Sequence, residues 1–259
     1  MNGWRVSPRR RASLRFAAGC LALIAAAGTA AGAEADQDAI EPKALQILQS
    51  ALEKIARAPG ITFRAEIAND TPLPSGEKIQ FTGVLEVTAR RPDRFWSRFT
   101  GEQRSNQSWY DGKTFTHLDA EGKAYASCAA PGKLDDLFTT MKEKLGFTPP
   151  LSLLLRENVA QKTLSRIRSG FLVGRGVVGG VSCHHLAFRA EKIDWQAWIA
   201  EEGEPVIKRI VITYKQTAGA PQYTATFTDW DFAAAPPESV FAFTPPQGAV
   251  QCDFQTLGK

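Results

Sequence analysis

The chain has 259 residues with 31 basic and 27 acidic side chains, a formal net charge of +4. Five of the basic residues (Arg5, Arg9, Arg10, Arg11 and Arg15) fall in the first 33 positions, which hold no acid, so the remaining 226 residues carry 26 basic against 27 acidic side chains. A near-neutral body of that length lacks the basic patch that nucleic-acid binding requires, and it is long enough for one large β-rich domain.

The basic start is followed by an apolar run, Phe16 to Ala27, too short for a membrane span of about 20 residues, and by the small residues Ala31-Gly32-Ala33. Residues 1–33 therefore read as a cleavable signal peptide, and residues 34–259 as a single exported domain with no transmembrane segment. The arginine cluster lacks the aromatic residue of a twin-arginine signal at Ser13. Cys20 comes too early relative to the apolar run to be a lipid-attachment site.

Glu41 to Ala56 reads as an amphipathic helix, with Pro42 in its first turn and Leu45, Leu48, Leu52 and Ile55 at helical spacing before Pro59-Gly60. From Ile61 the period changes to two. Ile61, Phe63, Ala65 and Ile67 predict one half-buried strand, and Phe81, Gly83, Leu85 and Val87 a second. Arg91-Pro92-Asp93 turns the chain into Arg94 to Thr100, with Phe95 and Phe99 on one face. Asp111-Gly112 joins Ser105–Tyr110 to Lys113–Leu118, the strongest hairpin signal in the chain. Lys123 to Cys128 completes a meander of about six strands.

The strand pattern then breaks. Leu134, Leu137, Phe138, Met141 and Leu145 form a helical stripe, with Asp135 and Asp136 in the first turn and Gly146 at the end. After Phe147, Thr148-Pro149-Pro150 leads into a short helix from Leu151 to Arg156 that is apolar almost all round, so it must be inserted into something. Strand character resumes from Thr163 to Val173. Val181 to Tyr214 gives three neighbouring antiparallel strands with apolar groups on both faces, which predicts cover on both faces. Tyr223, Ala225 and Phe227 mark one more strand. The glycines from Gly170 to Gly180 open no helix and predict a bulge or a sharp bend.

Ten or eleven antiparallel strands interrupted by helices predict an α+β, mainly antiparallel fold. Accumulated twist curls so long a meander into an unclosed half-barrel, with the helices over its concave face. Phe63, Phe81, Phe95, Phe99 and Trp109 on the strands, facing Phe138, Met141, Leu145, Phe147, Leu151, Leu154 and Leu155 on the helices, suffice to line an apolar cavity. The competing reading is that the same residues make a closed core.

The order of "CHHLAFR", "DWQAWI", "KRIVITYK", "PQYTATFTDWDF" and "FTPPQGA" resembles a predicted periplasmic family of unknown function. The fold of that family is similar to the lipoprotein carriers LolA and LolB and the mycobacterial lipoprotein LppX. The resemblance spans about Glu41 to Phe254. It implies an acyl-chain cavity under movable helices, a lipid or acylated protein as ligand, an inner- or outer-membrane partner, and no catalytic residues or cofactor to carry over. The rival functions are an envelope interaction module with a closed core and, last, a histidine-dependent hydrolase.

The three cysteines after the leader, Cys128, Cys183 and Cys252, permit at most one internal bridge. Cys128 with Cys252 is the preferred pair, since the tail can return along the sheet, and both depart from the family pattern. No CxxC occurs. His184 and His185 are adjacent on a strand and point to opposite faces, so they cannot share one metal ion without distortion. Asp194 and Glu191 are the nearest acids for an acid–base role. One packed and one solvated histidine is the expected outcome. GxSxG, HExxH and P-loop patterns are absent from the sequence.

Overall fold

A computed structural model describes residues 39–119, 123–130, 132–146, 149–254 and 257. The segment read as a signal peptide and Phe147 lie outside the described residues.

Twelve strands form one sheet in the order β12-β6-β5-β4-β3-β2-β1-β11-β10-β9-β8-β7. They are β1 (Gly60–Pro72), β2 (Lys78–Arg90), β3 (Arg94–Gly101), β4 (Ser105–Tyr110), β5 (Thr114–Leu118), β6 (Ala124–Ala129), β7 (Ser169–Val178), β8 (Val181–Arg189), β9 (Ile193–Ala200), β10 (Ile207–Tyr214), β11 (Gln222–Asp231) and β12 (Val250–Gln251). Every pairing is antiparallel except the two-residue β12 beside β6. The end strands β12 and β7 do not pair with each other, so the sheet stays open.

Two meanders, β1–β6 and β7–β11, meet where β11 lies against β1. The longest strands, β1 and β2, are therefore central. The stretch Val181–Tyr214 makes three consecutive antiparallel neighbours as its pattern predicts, but they stand toward the β7 edge. The second-face cover expected there takes a different form. The outward ring of Trp198 is shielded by His185, stacked at 4.1 Å, and by the Arg209 guanidinium.

Turn chemistry sets the registers. Asp111 Oδ1 accepts the amides of Lys113 and Thr114 in the β4–β5 turn. Gly179 and Gly180 both take positive φ in the two-residue β7–β8 hairpin, a conformation that costs a side chain-bearing residue dearly. The expected bulge falls between Leu172 and Gly174.

Helix α1 (Pro42–Arg57) begins on proline and buries Ala44, Leu48, Ala51, Leu52 and Ile55. Helix α2 (Leu134–Leu145) ends at Gly146 in the left-handed region. The predicted short helix is a 3₁₀ turn, Ser152–Leu155. The chain then forms α3 (Val159–Leu164), whose last two residues, Thr163 and Leu164, fall where strand character was expected to resume. That segment docks against α1 instead of extending the sheet, and β7 starts only at Ser169. Because β6 lies second from one end of the strand order and β7 at the other end, the connection carrying α2, the 3₁₀ turn and α3 has to bridge the breadth of the sheet. Its apolar side chains, those of α1 and those of one sheet face belong to a single core.

Candidate functional site: the helix-filled concave face

Alternation along the strands places Ile61, Phe63, Ala65 and Ile67 of β1 on the helix-facing side. Cross-strand register puts Val87, Leu85 and Ala89 of β2, then Phe95 and Phe99 of β3, on the same side. Phe138 of α2 meets this surface edge-on, its ring 5.6 Å from that of Phe95 at 86°. On the other meander, Leu186, Phe188, Ala197, Ile199, Ile207 and Ile210 continue the core below α1.

Of the twelve predicted lining residues, six (Phe63, Phe95, Phe138, Met141, Leu154 and Leu155) are buried together in this core. Phe99, Leu145 and Leu151 are half-buried at its margin. The Phe99 ring lies flat on the backbone of Gly83 and Gly101, where an added Cβ would stand 2.6 and 2.7 Å from ring carbons. Phe81 shares the face of Leu85 but sits opposite Asn69, outside the core cluster. Trp109 corrects the expectation. Its register partners Trp96 and Thr116 lie on the outer face, and its ring packs at 5.0 Å on Phe243 of the C-terminal segment. The neighbouring Tyr110 takes the inward position, with its hydroxyl 2.7 Å from the carbonyl oxygens of Ala130 and Gly132.

The buried members of the set belong to one continuous core with α1 and the sheet. Two concavities stand out among the described residues. One, of about 550 Å³, lies between the C-terminal half of α1, Pro205 and Phe232. The other, of about 190 Å³, lies beside Gly170, Phe171 and Trp195. Neither is lined by any of the twelve residues.

Polar groups fasten the inserted segment at one end. Asp135 in the first turn of α2 accepts from Lys162 Nζ at 2.7 Å, Arg156 Nη1 at 3.1 Å and the Glu157 amide at 3.0 Å. Burial pushes the Asp135 carboxyl up, but the bonds from Lys162, the Glu157 amide and Arg156 outweigh it and hold the pKa below its ordinary value. Glu157 pairs with Lys133 at 3.3 Å. The sequence pattern showed Asp135 only as a helix-dipole residue. Its partners come from the residues just after the 3₁₀ turn and from α3, a helix for which the sequence offered no reading at Lys162, so no local signal announced the cluster.

At the far side of β4, Ser108 Oγ and His117 Nδ1 lie 2.8 Å apart on the helix-facing side. Burial, with Arg104 nearby, pushes the His117 pKa down to about 4. His184 and His185 occupy opposite faces as the alternation predicts. His184 Nδ1 lies 3.2 Å from Glu201, which also accepts from Arg175, and His185 bonds Gln196 at 2.8 Å. The expected acidic neighbours are engaged elsewhere, Glu191 with Arg168 and Asp194 with Lys215. Among the described residues no cluster of three or more His, Cys, Asp or Glu could hold a metal ion, and no helix is long and apolar enough to cross a membrane.

The tail returns along the sheet as expected, with Gln251 opposite Tyr125 and Phe254 stacked on Phe115 at 5.8 Å. The preferred bridge is not formed. Cys128, Cys183 and Cys252 carry thiols. In the register of β12, Cys252 falls opposite Ala126, two residues or about 7 Å along the strand from Cys128.

These features define a class: an open antiparallel half-barrel whose concave face is occupied by helices from its own chain. The particular family follows from the sequence. The chain belongs to the predicted periplasmic proteins of family DUF2092, which it matches over residues 44–255. No curated protein matches the chain. Among solved structures it is similar to the lipoprotein LppX of Mycobacterium tuberculosis, at 12 % identity and a TM-score of 0.44 over 73 % of this chain and 96 % of that one. LprF of Mycobacterium bovis gives 13 % identity and a TM-score of 0.44 over 82 % and 100 %. A LolA superfamily protein of Nitrosomonas europaea gives 12 % and 0.35 over 77 % and 97 %.

Proposed function

We propose that the protein binds the apolar tail of a lipid, an acyl chain or a lipid-modified protein in the periplasm, on the concave face of its open sheet, without covalent chemistry. The observation that carries this reading is the β6–β7 connection. It fills the concave face with Leu134, Leu137, Phe138, Met141, Leu154 and Leu155 but belongs to no strand, so it can leave without breaking the sheet. Leu151, at the centre of this connection, takes a left-handed φ of 61°, a conformation that suits a pivot.

The energies match. Six large side chains at ~1.5–3 kcal/mol each hold the segment down, and a dozen tail methylenes at ~0.8 kcal/mol each contribute roughly 10 kcal/mol in their place. A lid and a ligand of equal worth can exchange, which reversible uptake requires. The test is organic extraction and native mass spectrometry of the mature protein, followed by titration with a fluorescent fatty acid. Co-purified lipid or saturable binding is expected. A protein that is empty and takes up no acyl probe overturns the reading.

The filled concave face favours one rival, an envelope interaction module whose core stays shut. A stable complex with an envelope protein, together with absent acyl binding, would establish that rival.

A further inference from the structure

Arg91 stands out when each buried polar group is asked where its bonds go. It lies in the β2–β3 turn, and its amide donates to the Pro59 carbonyl at 2.8 Å. Its Nη1 donates to the Ala58 carbonyl, just past the end of α1. Its Nε and Nη2 are buried and have no hydrogen-bond partner. These two nitrogens form the side edge of the guanidinium, whose parallel N–H groups match the two oxygens of a carboxylate or phosphate.

The surroundings do not supply that anion. Asp135 and Glu157 are the acids that act on Arg91 electrostatically, but both are engaged, Asp135 by Arg156 and Lys162 and Glu157 by Lys133. Lys133, Arg156 and Lys162 of the inserted segment already share these two carboxylates. On the other side Arg90 and Arg94 are met by Glu238 and Asp93. Among the described residues Arg91 itself makes no ion pair. Burial lowers its pKa, yet a guanidinium stays charged throughout the physiological range. A buried charge with an unfilled donor edge is costly unless something completes it.

Its place in the fold says what that something is. The Pro92 carbonyl next to it accepts the amide of Leu134, the first residue of α2. Arg91 therefore stands where the end of α1, the β2–β3 turn and the start of the inserted segment meet, at one end of the apolar face. We propose that Arg91 anchors the oxyanion headgroup, carboxylate or phosphate, of an amphiphile whose tail occupies the concave face. This rests on the binding reading above and adds a ligand class to it: singly headed anionic amphiphiles over neutral ones.

The experiment compares sodium palmitate, hexadecyl phosphate and hexadecanol as ligands, and inorganic phosphate alone, on the wild-type chain and on Arg91→Gln. Wild type should bind palmitate or hexadecyl phosphate at least tenfold more tightly than hexadecanol, and a preference for one anion tells the two headgroups apart. Arg91→Gln should bring the three affinities together while leaving hexadecanol unchanged. Phosphate should raise the Tm of wild type, against chloride at equal ionic strength, and not that of the variant. Should Arg91→Gln fail to fold, Arg91→Lys keeps the charge but loses the side edge, and it should cut the discrimination. Equal wild-type affinities with no phosphate shift, or a phosphate shift unaltered in the variant, overturn the assignment. If no tail binds at all, the concave-face reading falls, and the phosphate arm alone decides whether Arg91 is an anion site.

Discussion

Replacing Phe138 by alanine separates a lid from a permanent core. Phe138 is 0 % exposed, meets Phe95 edge-on at 5.6 Å and carries the Arg156 guanidinium 5.7 Å above its ring. Truncating a core phenylalanine costs about 3–5 kcal/mol, and the aromatic pair places this site in the upper half of that range. Urea unfolding followed by tryptophan fluorescence should therefore show a fall of about 4 kcal/mol. If α2 through α3 is displaceable, the loss weighs on the closed arrangement, and the competent fraction rises. A fluorescent fatty acid should then bind at least tenfold more tightly to Phe138→Ala than to wild type. Amide exchange should accelerate over 134–164 before it does in β1 and β2. A stability loss below about 1 kcal/mol would mean that α2 does not seat on the sheet as described. A full loss of stability with unaltered acyl affinity and uniform exchange would show that the segment is core, and the lid argument would be wrong.

Other perturbations test separate parts. Gly60→Ala places a Cβ 2.0 Å from the backbone oxygen of Ala234, which cannot yield as a side chain tip can, so thermal unfolding should show about 1–3 kcal/mol of destabilisation. Asp135 has a folded pKa below its ordinary value of 3.8, so the stability it provides is present above about pH 4 and is lost as pH falls through the lowered folded value. Asp135→Asn should remove that acid dependence and cost about 1–2 kcal/mol at neutral pH, read by denaturant titration across pH. His117 titrates near 4 when folded against 6.5 ordinarily. The unfolded chain takes up a proton between those values that the folded one refuses, so stability on the order of 3 kcal/mol is lost between pH 6.5 and 4, and His117→Gln should flatten that slope. Cys183 is fully buried and should resist a thiol reagent until the protein unfolds, while mass spectrometry of the unreduced protein should find no Cys128–Cys252 bridge.

Local patterns were legible wherever one residue type forces one geometry. Pro42 begins α1, Gly146 ends α2, Asp111-Gly112 turns β4 into β5, and the period-two runs of Ile61–Ile67 and Phe81–Val87 became the two central strands. Faces were less secure. Alternation separates Trp109 from Tyr110 but does not say which of two aromatic residues points inward, and that depended on whether a buried partner awaited the Tyr110 hydroxyl. The helix Val159–Leu164 went unread, and its end was taken as the start of a strand at Thr163, because a six-residue segment has too little periodicity of its own, and its docking on α1 decides its form.

The sequence by itself determined a long antiparallel meander with an apolar helical insertion, because strand alternation, helical stripes and turn residues are local consequences of side-chain chemistry. Tertiary structure alone decided that β11 pairs with β1, that Asp135 gathers Arg156 and Lys162, that Arg91 keeps an unfilled edge, and that the inserted segment shares one core with the sheet. Each of those depends on which distant groups share a space, and volume and pairing across a fold leave no periodic trace along the chain.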